Sequence, residues 1–212
     1  MALADDVGCN LSTGVRVLVT AAVVVAFSSP VAAQTLEKTA KLIGGAAVGL
    51  ALHESAHVVA DLASGVSPGV RKVTFGPFPF FAITHDAVSP GREFLISSAG
   101  FWAQHATSEL LLTTHADLRA QDAHVLKGML AFNILTSFAY AGAAFARTGP
   151  DERDTRGMAV SAGVAEPVIG AVILAPAVLD TVRYFGGRNR WVVWGSRAAK
   201  IGGALLVVKA IR

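Results

Sequence analysis

Charge is scarce in this chain. Of its 212 residues only 16% are Asp, Glu, Lys or Arg, against about 25% in ordinary soluble domains. With 53% hydrophobic residues and a mean hydropathy of +0.53, it lacks the polar material to cover a water-facing surface, which points to the membrane class. Cysteine is nearly absent. The single Cys9 excludes an intrachain disulfide and a cysteine-based zinc cluster. A basic face interleaved with aromatics is missing too, so no nucleic-acid partner is expected. The net charge is +3 and the cations are scattered. One local group, Arg183, Arg188, Arg190 and Arg197, lies beside Trp191 and Trp194, a composition typical of a membrane–water boundary.

What the chain does have is apolar runs. The first, Val15–Phe27, is followed by SSPVAAQ. Residues 1–33 read as a secretory signal with small residues at a cleavage point before Gln34. Asp5 and Asp6 stand where a basic flank is expected, and the alternative is an uncleaved first transmembrane helix. Then come Leu42–Ser64, Phe94–Thr113, Leu126–Ala146, Met158–Leu179 and Trp191–Ile211. Several approach the roughly 20 residues that a bilayer core requires. Pro167 and Pro176 should kink or break the fourth of these. Glycines such as Gly45, Gly49 and Gly100 suit closely packed membrane helices. Between the second and third runs, Val70–Arg92 is rich in β-branched and aromatic residues, with Gly76, Pro77 and Pro79 as punctuation, and reads as short strands or a hairpin. The expected fold is mainly α: a membrane-embedded bundle of about 4–6 apolar helices over residues 34–212, with a short β-hairpin inside it. Lys and Arg occur in loops on both sides, so the charge bias sets no orientation.

One stretch inside the second run is chemically out of place. ALHESAHVVADL, Ala51–Leu62, puts His53, Glu54 and His57 into an oily helix, where polar groups are costly unless something satisfies them. The spacing is H-E-x-x-H. Residues four apart share one helix face, so two imidazoles can take adjacent corners of a zinc tetrahedron. Glu54 lies about 100° round the helix, within reach of a water that zinc has acidified. It can take that water's proton and return it to the leaving nitrogen of a cleaved peptide. The bland reading is two core histidines satisfied by backbone or water.

Zinc in such a site takes a third protein ligand. Asp61 shares the face but lies roughly 12 Å along the axis from His53, a better place to orient His57 from behind or simply to end the helix. The longer H-E-x-x-H-x-x-G-x-x-H pattern fails, since Ala60 and Ala63 hold its later positions. Candidates elsewhere are His85, His105, His115, His124, Asp151 and Asp154. His105 reads as a core histidine, and His115 and His124 as solvated ones. Asp154, with Asp151 as its alternative, stands where a polar loop enters an apolar helix, as a ligand aimed inward or as an N-cap.

The chain resembles the site-2 protease family, intramembrane zinc metalloproteases, in three places. His53–Glu54–Ser55–Ala56–His57 lies in an apolar helix. The β-like Val73–Thr84 follows it, where the family has strands that hold substrate. Ala99–Gly100–Phe101–Trp102–Ala103–Gln104 looks like the family's Ala-Gly-Pro-x-x-Asn element, with Phe101 for Pro and Gln104 for Asn. The family's third ligand is an aspartate in an Asn-Pro-x-x-Asp-Gly-like motif. Here Asn133 opens a suitable segment but no Asp-Gly follows, and Asp154–Thr155–Arg156–Gly157 is the nearest match. The resemblance covers about Leu42 to Gly157 and includes no PDZ-like domain. It implies a Zn2+ endopeptidase cutting membrane or membrane-proximal segments, in a multi-pass protein such as one of the bacterial inner membrane. Glu54 would be the base, His53, His57 and Asp154 the ligands, and Gln104 and Asn133 substrate or oxyanion contacts. The competing expectation is a catalytically silent membrane binding or assembly protein with a degenerate site.

Overall fold

The computed structural model describes residues 30–75, 78–186 and 189–211. The run Val15–Phe27, and with it the expected signal or first transmembrane helix, lies outside the described residues. The elements are α1 (Pro30–Ala63), β1 (Gly69–Phe75), β2 (Phe78–Thr84), α2 (Pro90–Thr114), α3 (His124–Ala146), α4 (Asp154–Ala162), α5 (Glu166–Gly186) and α6 (Arg190–Ile211). The chain divides into Met1–Ala40 and Lys41–Arg212, and the bundle with its polar site belongs to the second unit.

Local chemistry sets the element ends. α1 stops at Gly65, whose φ of 76° suits a residue without Cβ. The Ser64 and Val66 amides donate back to the Ala60 and Asp61 carbonyls at 2.9 and 3.1 Å, closing the helix end. β1 and β2 pair antiparallel from Gly69↔Thr84 to Phe75↔Phe78. α2 starts with Pro90 behind Ser89, where a missing N–H removes no helical bond. The expected long segment Met158–Leu179 is split at Gly163, φ 64°, into α4 and α5. Pro167 then falls in the first turn of α5, a tolerated place. Pro176 does not end α5, which runs on to Gly186.

The distribution of polarity is inverted. Exposed large apolar side chains include Val59 and Leu62 on α1, Leu135 and Phe145 on α3, and Val168 and Phe185 on α5. Buried positions include His53, His57, Asp61, Gln104, Asn133, Asp180 and Lys200. Exposed apolar surface of this kind marks a membrane or protein interface. Among the described residues three helices are long and apolar enough to cross a membrane: Gln34–Ala63 of α1, α3 and α5. That is fewer spans than the sequence suggested. α2 carries Glu93, Gln104, His105 and Glu109, and these polar residues keep it off the set.

α2 is the inner helix, packed against α3, α4, α5 and α6. One apolar cluster, Phe94, Phe101, Met158, Ala159, Ile169 and Ile173, joins it to α4 and α5. Another, Leu111, Leu112, Leu118 and Leu130, closes its far end. α1 and α3 meet backbone to backbone: a Cβ on Gly45 would overlap the Val125 carbonyl, and one on Gly128 the Leu42 carbonyl.

Candidate metal centre

His53 and His57 are both buried, one turn apart on α1. Their Nε2 atoms are 3.2 Å from each other. Asp154, the first residue of α4, brings Oδ2 to 3.2 Å from His53 Nε2 and 3.4 Å from His57 Nε2. A tetrahedral zinc with ligand bonds of about 2.1 Å spaces its donor atoms by about 3.4 Å. The three side chains therefore form a triangle the size of one face of that tetrahedron, and they are the group of His, Cys, Asp or Glu among the described residues placed to hold an ion.

With both imidazoles neutral, hydrogen bonding alone serves this triangle poorly. His57 Nδ1 donates to the Ile96 carbonyl at 2.8 Å, so in the neutral ring Nε2 is a lone pair. That lone pair faces a carboxylate and a second imidazole. A single proton on His53 can serve one neighbour, whereas a cation serves all three. The residues present fit a divalent ion with an affinity for imidazole and carboxylate, and zinc suits that set.

Three devices bring Asp154 in. Arg153 donates from Nε and Nη2 to Glu166 at 2.7 Å each, and Thr155 Oγ1 donates to the same carboxylate at 2.8 Å, pinning the start of α4 to α5. Gly157, one turn on, lies against the Ser97 hydroxyl of α2, where a Cβ would collide. The helix N-terminus itself favours an anion. Burial by itself would raise the Asp154 carboxyl, but the adjacent His57 and His53 prevail and hold it well below the usual carboxylate range. The other candidate, Asp151, is exposed and ion-paired with Arg156, outside the triangle.

Gly100 explains the Ala-Gly element physically. It lies against the His53 ring, and Phe101 stands edge-on to that ring at 5.5 Å. Asp61 is fully buried, but neither carboxylate oxygen has a hydrogen-bond partner among the described residues. Its nearest cation-capable neighbour is His85 at 4.0 Å, which also approaches Glu93 at 3.5 Å. The orienting partner of His57 is thus the Ile96 carbonyl, because the close α1–α2 approach puts that backbone within reach. Gln104 is buried with both amide atoms unpaired. Asn133 donates to the Gln104 carbonyl and to Ser108 Oγ, each at 3.1 Å, fastening α3 to α2. Neither lines the two cavities that reach His57 and Asp154. His105 packs on Trp102, with ring centroids 5.8 Å apart. His115 pairs with Gln121 and His124 with Asp122.

Glu54 is half-buried and lines a narrow cavity of about 40 Å³ with His57, Asp154, Tyr140, Phe80 and Phe81. β2 forms its opposite wall. A second cavity, about 260 Å³, reaches His57 and Asp154 between polar residues including Arg71, His85, Glu93 and Ser97. It is roomy and polar enough to hold water. Arg71 of β1 donates to Glu152 at 2.6 Å, tying the hairpin to the loop before α4. Sequence reasoning missed Tyr140, Arg71 and the Arg153–Glu166 pair. Tyr140 follows Asn133 by seven residues, two turns along one face of α3, which was the available signal. The ion pairs join residues far apart in sequence and left none.

No family model, curated protein or solved structure matches the chain.

Proposed function

We propose that this chain is a membrane-embedded metalloendopeptidase of the site-2 protease kind, with zinc as its metal and membrane or membrane-proximal peptides as substrate. The observation that carries the reading is the His53–His57–Asp154 triangle with Glu54 on the adjoining cavity wall. Zinc held there would supply Lewis acidity, lowering the pKa of water and polarising a peptide carbonyl.

The chain's own residues would do the rest. His53, His57 and Asp154 hold the ion, and the Ile96 carbonyl fixes the tautomer of His57. Glu54 takes the proton of the attacking water and passes it to the leaving nitrogen. The polar cavity between Arg71, His85 and Ser97 admits that water. A helical substrate hides its carbonyls. Added as a third strand beside β2, whose Phe80–Ile83 faces the site, a substrate segment would be unwound and held extended. A two-stranded hairpin is marginal alone, so a third strand also suits the hairpin.

The test is metal content of detergent-purified full-length protein beside cleavage of a membrane-anchored reporter peptide. One zinc per chain is expected in wild type and in Glu54→Gln, with cleavage in wild type only. His57→Ala and Asp154→Ala should lose the metal. Wild-type protein that takes up no zinc would sink the reading. Zinc uptake without turnover on any anchored peptide would favour the silent binding protein, which the narrowness of the Glu54 cavity supports.

A further inference from the structure

A second polar centre lies at the other end of the bundle, where α2 and α5 end and α6 begins. Glu109 of α2 accepts from Arg197 Nε at 2.8 Å and Lys200 Nζ at 2.9 Å, and pairs with Arg183. Lys200 also reaches Asp180 at 2.8 Å, and Ser196 donates to that carboxylate at 2.6 Å. Arg183, Lys200 and Asp180 are buried. Three cations thus share two carboxylates, and a buried charge without a partner is costly.

Two cavities open on this network. One, about 340 Å³, is lined by Arg119, Arg183, Arg190 and Arg197 with Asp117 as its acidic member. The other, about 860 Å³, is an apolar groove between α2 and α6, lined by Trp102, Ala106, Leu110, Ile201 and Ala204. Thr113, Trp194 and Arg197 belong to both, so the cavities adjoin. Counting the lining residues and the side chains ion-paired to them, five cations face three carboxylates. The site as a whole is a cationic pocket opening into an oily trough.

Its depth is informative. The cationic pocket includes Tyr184 and Phe185, in the last turn of α5, one of the helices able to span a membrane. Trp191 and Trp194 stand 77% and 61% exposed beside it, as aromatic side chains do at headgroup level. From Trp194 to Ala204 the groove runs about 15 Å along α6, half of the roughly 30 Å hydrocarbon core. That is one leaflet.

We propose that the paired cavities bind an anionic glycerophospholipid, with its phosphate in the arginine pocket and an acyl chain along the groove from Trp194 to Ala204. Charge complementarity selects the headgroup, since the excess cations need an anion. The groove selects a lipid over a soluble phosphate. The site is independent of the metal centre, and so is its test.

The experiment uses delipidated full-length protein in detergent and brominated lipids as quenchers of Trp102, Trp191 and Trp194. Brominated phosphatidylglycerol should quench at concentrations at least tenfold lower than brominated phosphatidylcholine. Arg119→Gln with Arg190→Gln should abolish that preference. Both residues are exposed and stand outside the buried ion-pair network, so the fold should hold, and an unchanged melting temperature checks it. Ala106→Phe, at an exposed groove position, should weaken both lipids. Equal quenching by the two lipids in wild type, or a preference that survives the double arginine variant, would overturn the proposal. Complete displacement of the lipid by millimolar inorganic phosphate would assign the pocket to a soluble anion and overturn it equally.

Discussion

Gly100 of α2 lies so close to His53 of α1 that a Cβ at residue 100 would stand 2.5 Å from His53 Nε2. No side chain fits there unless the imidazole moves. The same approach brings the Ile96 carbonyl within 2.8 Å of His57 Nδ1. One glycine therefore sets the positions of both imidazoles. Gly100→Ala should keep the fold, since overpacking by one methyl costs about 1–3 kcal/mol, but displace His53. Zinc affinity, measured by chelator competition, should fall about 10–100-fold, as for lost outer supports of metal ligands. Wild-type affinity in this variant would show that the contact does not govern the site.

Glu54 and Tyr140 share a cavity wall with the metal triangle without belonging to it. Glu54→Gln should retain zinc and lose reporter cleavage by about 10²–10⁴-fold, the range of a positioned general base. Tyr140 packs on Phe101 at 5.2 Å and lies beside His53. Tyr140→Phe keeps that ring and should retain zinc. If its hydroxyl donates to the reacting carbonyl, kcat should fall by about 10²–10³-fold, the loss typical of one such donor, at unchanged zinc content.

The helices and hairpin were legible because each carries its own signal. Val70–Arg92 carries the β-branched and aromatic residues and the Gly and Pro punctuation of a hairpin, and the apolar runs mark α2, α3 and α6 within a few residues, whereas α1 begins twelve residues before the run Leu42–Ser64. H-E-x-x-H marked His53 and His57 by spacing alone, and the structure brings them together with Asp154 in a group that could hold an ion. Asp154 was a choice between two aspartates three residues apart, and the Arg153–Glu166 pair and the Gly157–Ser97 contact place Asp154, not Asp151, beside the two histidines. Those are tertiary contacts, invisible to local pattern. Fewer spans than expected stand among the described residues for a related reason: α2 is apolar in long stretches, yet its Ser108 and Glu109 side chains meet Asn133, Arg183 and Lys200. Gln104 was read as a substrate contact from the family element; it is buried on α2 and lines neither cavity that reaches His57 and Asp154.

Arg71 and Glu152 tie the β-hairpin to the loop that delivers Asp154. The hydrogen bond from Arg71 holds the Glu152 carboxyl below its ordinary value. A depressed carboxylate contributes above its unfolded pKa, about 4.3, and its contribution is lost as pH falls through the lower folded value. The tie is therefore intact at neutral and mildly acidic pH. It is also exposed, so salt screens it. Arg71→Gln should raise KM for the reporter peptide several-fold with little change in zinc content, and the difference from wild type should shrink at molar salt. A variant with unchanged KM at low salt would show that the hairpin keeps its place without the tie.

Gln104 offers the sharpest separation between family expectation and geometry. Its amide is buried on α2 with no partner for Nε2 or Oε1 among the described residues, and it stays outside both cavities that reach the metal triangle. A buried amide without partners costs about 1–3 kcal/mol, and an apolar replacement of similar shape can be neutral or stabilising. Gln104→Leu should then keep or raise the melting temperature in detergent, with zinc content and kcat unchanged. Were Gln104 an oxyanion or substrate donor, the same variant would keep its melting temperature and lose about 10²–10³-fold in kcat. The kcat measured on a preparation whose melting temperature has not fallen distinguishes the two, because only the catalytic role moves kcat.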